Sequence, residues 1–198
     1  MTHPADVYEA QAAAYFAATA HVDPGPFLQP LEKRLTPGSR VLDVGCGSGR
    51  DLLWFAGRGH QAVGLERSPK LVRMAGELSG CPVFQGDFWT WDFSQEQVEA
   101  VLLVGALVHE ARAAARQALI RILPALHVRG HVLLTLKQGQ GLQETADGRV
   151  FVLWQEEEVR DLLHSTGLNV LEVFRRTSPV RAGDLWLGAV ARLGADRV

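Results

Sequence analysis

The stretch Val41-Leu-Asp-Val-Gly-Cys-Gly-Ser-Gly-Arg-Asp51 decides the fold. An apolar run of strand length, residues 40–44, leads into alternating glycines, and a helical pattern over 50–58 follows, closed by Gly59. A glycine turn between strand and helix lets a ligand approach the main chain closely and meet the helix N-terminus. The register of the glycines separates the ligand classes. A dinucleotide site has glycines at relative positions one, three and six. Gly45 and Gly47 satisfy the first two, but Arg50 holds the sixth; counted from Gly47, Gly49 fits and Leu52 fails. Asp43, just before the first glycine, would also repel a pyrophosphate. Its charge suits a ligand carrying an ammonium and a sulfonium; the other use for it is to brace the turn against backbone amides.

Two more carboxylates end successive strand-like runs. Glu66 closes the run 62–65, 23 residues after Asp43. In a doubly wound fold an acidic residue there accepts hydrogen bonds from ribose hydroxyls, because both strand ends open on one crevice. Asp87 follows the run 83–85. It is placed either to take a hydrogen bond from an adenine amino group, with Phe88 covering the ring, or to shape a turn.

Outward from this centre, strands and helices alternate. Helical periodicity covers 5–20 and 26–35, broken by Pro37-Gly38. Ser68 and Pro69 open a helix through about residue 78. Apolar strands at 98–104 and 131–136 flank a helix at about 110–122. Short continuous apolar strands between helices mean a parallel sheet covered on both faces. The end differs: a helix near 155–165 stops at Gly167, and runs at 169–175 and 185–192 can form an antiparallel edge hairpin. Residues 139–148 read as a surface loop. One domain follows, with a helical cap over 1–36, a ligand-binding core over 37–138, and a flap, last helix and hairpin over 139–198.

Composition removes several classes. A chain of 198 residues with 47% hydrophobic and 21% charged residues is an ordinary globular protein. A net charge of −2 gives no basic field for nucleic acid or anionic membrane. Cys46 and Cys81 are too few for a disulfide framework and lack metal-ligand spacing. The first residues show no leader pattern, and the longest apolar stretch, 100–108, is short of the roughly 20 residues a bilayer needs. A cytoplasmic protein is expected.

The loop 41–51, with Gly64-Leu-Glu-Arg-Ser-Pro69 and Gln85-Gly-Asp-Phe88, resembles class I S-adenosylmethionine-dependent methyltransferases over nearly the whole chain. The resemblance implies a Rossmann-like α/β fold: a seven-stranded sheet, mostly parallel with an antiparallel C-terminal strand, and helices on both faces. It implies S-adenosylmethionine as cofactor and S-adenosylhomocysteine as product. Asp43, Gly45, Gly47 and Gly49 would line the methionine part of the cofactor, and Cys46 and Val104 would belong to the cofactor site as well. Glu66 would hold the ribose, with Arg67 beside it, and Asp87 and Phe88 the adenine. Aromatic residues of the N-terminal helix close over the cofactor in similar small proteins, which points to Tyr15, and Tyr8 beside it, or else these rings pack on the core.

Methyl transfer is an in-line displacement that gains rate from alignment and exclusion of water. A general base is needed only when the nucleophile must lose a proton. The loop after the fourth strand neighbours the acceptor, so His109 is the base candidate, or else it packs beside the next helix. Lys137, Arg149 and Trp154 fall on the acceptor side; solvated loop positions and core packing are their other uses. The loop lacks the Asn/Asp-Pro-Pro-aromatic run of nucleic-acid amino-methylases, so a small-molecule acceptor is expected, with monomer and homodimer both open. A nicotinamide oxidoreductase and a non-catalytic cofactor-binding module are the competing readings.

Overall fold

A computed structural model describes residues 4–178, 180, 181 and 183–194. Residues 1–3, where the chain's leader was sought, lie outside the described residues. The strands are β1 (Arg40–Val44), β2 (Gln61–Glu66), β3 (Val83–Gln85), β4 (Val98–Val104), β5 (Leu126–Lys137), β6 (Leu142–Glu144), β7 (Val150–Val152), β8 (Leu168–Thr177) and β9 (Leu185–Leu193). The helices are α1 (Pro4–Ala10), α2 (Ala12–Thr19), α3 (Gly25–Glu32), α4 (Arg50–Ala56), α5 (Pro69–Ser79), α6 (Arg112–Ile122) and α7 (Glu156–His164).

Seven strands form one sheet in the order β3-β2-β1-β4-β5-β9-β8. Pairing is parallel from β3 to β5, and β9 runs antiparallel to both β5 and β8. The expected edge hairpin is present, with β9 inserted between β5 and β8. Strand alternation sends neighbouring side chains to opposite layers. Leu42, Val101 and Leu103 join the core under α6 and α7, while Val41, Ala100 and Leu102 join the one under α3 and α4. Burial on both faces is what the unbroken apolar runs require. The chain reverses its direction of winding between β1 and β4, which opens a crevice outside their carboxyl ends.

Local chemistry sets the helix ends near this crevice. Ser68 Oγ accepts from Leu71 N–H at 3.2 Å, Pro69 takes the first helical position, and Gly80 ends α5 with φ +68°. Two expectations change. The helix expected over 5–20 is broken at Gln11 into α1 and α2. Long-range contacts override its periodicity: Glu9 ties α1 to Lys70 at 3.2 Å, and Tyr8 reaches His109. The loop expected over 139–148 contains β6, which pairs antiparallel with β7. Asp147-Gly148 is the hairpin signal for that turn, and Gly148 has φ +79°.

Gly49 starts α4 at φ +78°, and a Cβ there would lie 2.8 Å from the Ala75 backbone of α5. Gly49→Ala is therefore expected to lower stability by about 2 kcal/mol or more, from left-handed strain plus overpacking, measurable by urea unfolding.

Candidate active site

A cavity of about 660 Å³ opens at the carboxyl ends of β1, β2, β4 and β5, within the size range of small-molecule sites. The glycine loop forms its floor. Gly45 and Cys46 both donate N–H to the Leu65 carbonyl, at 2.7 and 3.2 Å. Gly47, at φ +54°, has the Tyr15 ring against it: an added Cβ would meet ring atoms at 3.0 Å. A side chain at Gly47 would displace the tyrosine. Cys46 points beneath the loop toward Gly64, and burial pushes its thiol pKa far up, so it is a packing residue. It borders only a small recess beside Asp43. Gly49 is packed close against α5, where an added Cβ would meet Ala75 at 2.8 Å.

Two buried carboxylates flank the loop. Asp43 is 2% exposed, and its Oδ2 has no hydrogen-bond partner. Burial raises its pKa well above the ordinary 3.8, and the neighbouring Asp51 pushes the same way against Arg50. An unpartnered carboxylate oxygen is costly in a folded interior. Glu66 is differently placed. Its Oε2 accepts from Gly47 N–H at 3.0 Å and its Oε1 from Ser68 N–H at 2.9 Å. Burial nevertheless raises its pKa, outweighing those bonds and a third from the Arg67 backbone. Of the roughly four acceptor sites of the carboxylate one is left, and the side chain lines the cavity.

Next along this wall, Asp87 accepts from Trp89 N–H at 2.8 Å and pairs with Arg67 at 3.3 Å. The pair is half-exposed and worth under about 1 kcal/mol. Phe88 lines the cavity beside it, packed on Trp89. Val104 reaches both the cavity and the recess.

The far wall carries Tyr8, His109, Lys137 and Arg149. His109 Nδ1 lies 2.6 Å from the Val150 carbonyl, and its Nε2 lies 3.0 Å from Tyr8 Oη. Burial lowers its pKa, and Arg149 and Lys137 add to that against the Val150 bond. Lys137 is no solvated loop residue. It ends β5, is 3% exposed, and its Nζ pairs with Asp184 at 2.6 Å and bonds Gln143 at 3.0 Å. Arg149 pairs with Asp147 at 2.6 Å and lies 5.2 Å above the Tyr8 ring. Trp154 takes the second of its two expected uses: it is 1% exposed and packs in the core under Arg112. Sequence reasoning missed Asp147, Phe151, Asp184 and Trp186, all of which line it. Only the Asp147-Gly148 turn signal pointed to any of them.

Comparison with known proteins fits this geometry. A family model described as a methyltransferase domain matches residues 41–130. A thiopurine S-methyltransferase of Pseudomonas putida is 32% identical over 168 residues, covering 68% of this chain and 76% of that protein. Among solved structures, a Burkholderia thailandensis 1,6-didemethyltoxoflavin-N1-methyltransferase with bound S-adenosylhomocysteine aligns with a TM-score of 0.79 and 21% identity, over 98% of this chain and 91% of that one. The [4+2]-cyclase SpnF aligns at 0.76 and 17% identity, over 96% and 94%. These two likenesses concern the fold, which evidently carries more than one chemistry.

The raised pKa of Asp43 has a consequence for folding. A carboxyl with a folded pKa above its unfolded value costs nothing below the unfolded pKa. The cost grows as pH rises from about 4 toward the folded value. Asp43→Asn removes the charge, so the variant is expected to gain stability relative to the native protein as pH rises from 4 to 7. Thermal melts across that range check the sign.

Proposed function

From the premise that this chain belongs to the class I S-adenosylmethionine-dependent methyltransferases, we propose that it methylates a small planar acceptor in the cavity beside His109. The cofactor is S-adenosylmethionine, whose sulfonium supplies an electrophilic methyl group. The observation that carries the placement is the buried, partnerless Oδ2 of Asp43 beside a loop whose Gly45 and Gly47 line the cavity. Such an oxygen fits an ammonium donor, and the cationic group offsets the cost of its burial.

In this reading Asp43, Gly45, Gly47 and Val104 hold the methionine part, with Tyr15 lying over the loop. Glu66 accepts from a ribose hydroxyl through its remaining lone pair, and Asp87 with Phe88 holds the adenine. Arg67 fixes Asp87. The register failure at Arg50 and the charge at Asp43 count against a nicotinamide ligand. The chain's own residues then orient the acceptor and keep water away, which is where rate is gained in an in-line displacement.

The acceptor side supports a flat molecule. Phe151, Trp186, His109 and Tyr8 line it, and aromatic walls stack best on planar rings. The Pseudomonas putida relative is by name a thiopurine methyltransferase, which agrees with such an acceptor. The weak net charge and the missing amino-methylase run count against nucleic acid. Among the described residues no helix is long and apolar enough to cross a membrane, and we place the protein in the cytoplasm as a single catalytic unit over 1–198.

Calorimetry is expected to show that Glu66→Ala binds S-adenosylmethionine at least about tenfold more weakly, since charge-assisted hydrogen bonds contribute roughly 1.5–3 kcal/mol each. Unchanged affinity removes that role. Thermal shift is expected with S-adenosylmethionine and absent with NAD; the reverse overturns the reading. Turnover is checked by S-adenosylhomocysteine production with 6-mercaptopurine, thiophenols, phenols and aromatic amines.

A further inference from the structure

The Val150 carbonyl can only accept, so the 2.6 Å contact makes Nδ1 of His109 the donor. The neutral ring then has its lone pair on Nε2, aimed at Tyr8 Oη 3.0 Å away, and the phenolic O–H must be the donor there. His109 is thus occupied on both nitrogens. The imidazole has no free lone pair with which to meet an acceptor. Tyr8 does: its oxygen donates to His109 and lies within hydrogen-bonding reach of Arg149, leaving a second lone pair on a side chain that lines the cavity.

We propose that the group receiving the acceptor's proton is the Tyr8 hydroxyl, with His109 as the positioning residue that takes the phenolic proton in turn. The inference rests on the methyl-transfer reading. As the acceptor atom bonds to the methyl carbon, its own bond to hydrogen breaks, and that proton passes to Tyr8 Oη. The phenolic proton passes to His109 Nε2, and the electron pair of the broken carbon–sulfur bond stays with sulfur. The sulfonium's positive charge therefore reappears on the imidazolium, whose Nδ1–H is already held by Val150. Arg149 stands beside the oxygen that transiently carries negative charge.

The electrostatic surroundings come from four elements. On His109 act Arg149 and Asp147 from the β6–β7 turn and Lys137 from the end of β5; Tyr8 also feels Glu66 from β2 and stands beside Tyr15 of α2. Asp147 and Asp184 are held by Arg149 and Lys137, so neither is a free competing base. Burial keeps the resting imidazole neutral and able to accept.

Two measurements test this. Nitrogen-15 spectra of histidine-labelled protein, with His109 assigned through His109→Gln, are expected at pH 7.5 to show a neutral ring protonated on Nδ1, with an Nε2 signal that moves in Tyr8→Phe. An imidazolium, an Nε2–H tautomer, or an Nε2 signal indifferent to Tyr8→Phe overturns the proposal. For rates, Tyr8→Phe is compared with the native enzyme on benzyl mercaptan, which is protonated at that pH, and on 4-nitrothiophenol, which is ionised. The expected loss in kcat is about 100-fold or more on the first and less than about threefold on the second, with KM little changed. Equal losses on both mark Tyr8 as merely structural and overturn the proposal. A native enzyme that binds no S-adenosylmethionine and methylates neither thiol overturns the methyl-transfer reading instead, and the proposal with it.

Discussion

Two backbone N–H groups, those of Gly47 and Ser68, converge on the one carboxylate of Glu66. Gly47 belongs to the β1–α4 loop and Ser68 caps α5 after β2, so this side chain couples the two turns that border the crevice. The coupling is local and short, and the glycine loop takes its shape from it. Gly45 and Cys46 donate to Leu65, the residue before Glu66, so three successive loop amides address the end of β2. With the loop held down, Tyr15 can lie on Gly47, and α2 finds its place over the cavity. In the proposed reading the residue that contacts the ribose is thus also the fastener of the loop beside it.

The neighbourhood is electrostatically uncomfortable without a ligand. Asp43, Asp51 and Glu66 are all buried, and Asp43 has an oxygen with no partner. Arg50, paired to Asp51 at 2.7 Å, offsets only part of this. Such a cluster costs stability and sets up a field that favours a cation. In the proposed reading the side chains that weaken the fold also select the ligand, as functional sites commonly do.

The central sheet was legible because parallel strands buried on both faces leave continuous apolar runs, and because turns carry residues with a conformational reason to be there. Residues 40–44 and 98–104 are such runs, and Ser68, Pro69 and Gly80 are such turn residues. The placement of Glu66 on the cavity was legible for a related reason: a strand's end fixes where its last side chain goes. The acceptor wall was harder. Lys137 and Asp184 are 47 residues apart and meet only because β9 lies against β5. Strands of three residues, as in β6 and β7, are too short for alternation to declare itself. Gly49 packs on α5 and Trp154 in the core, and neither a motif nor nearness to a loop separates a packing use from a ligand use.

The position of β9 bears on how the molecule comes into being. It fills the slot between β5 and β8, so the outer edge of β5 has no neighbour until residues 185–193 are available. Contacts of such long sequence separation close late, since the loop entropy must be overcome first. Asp184 and Trp186 stand at the head of that strand, against Lys137 and Gly105. During synthesis the half around β1 and β2 can therefore fold while the wall that holds Asp184 and Trp186 is still missing. A nascent chain would first set the glycine loop, and gain the closing wall of the cavity only when β9 arrives.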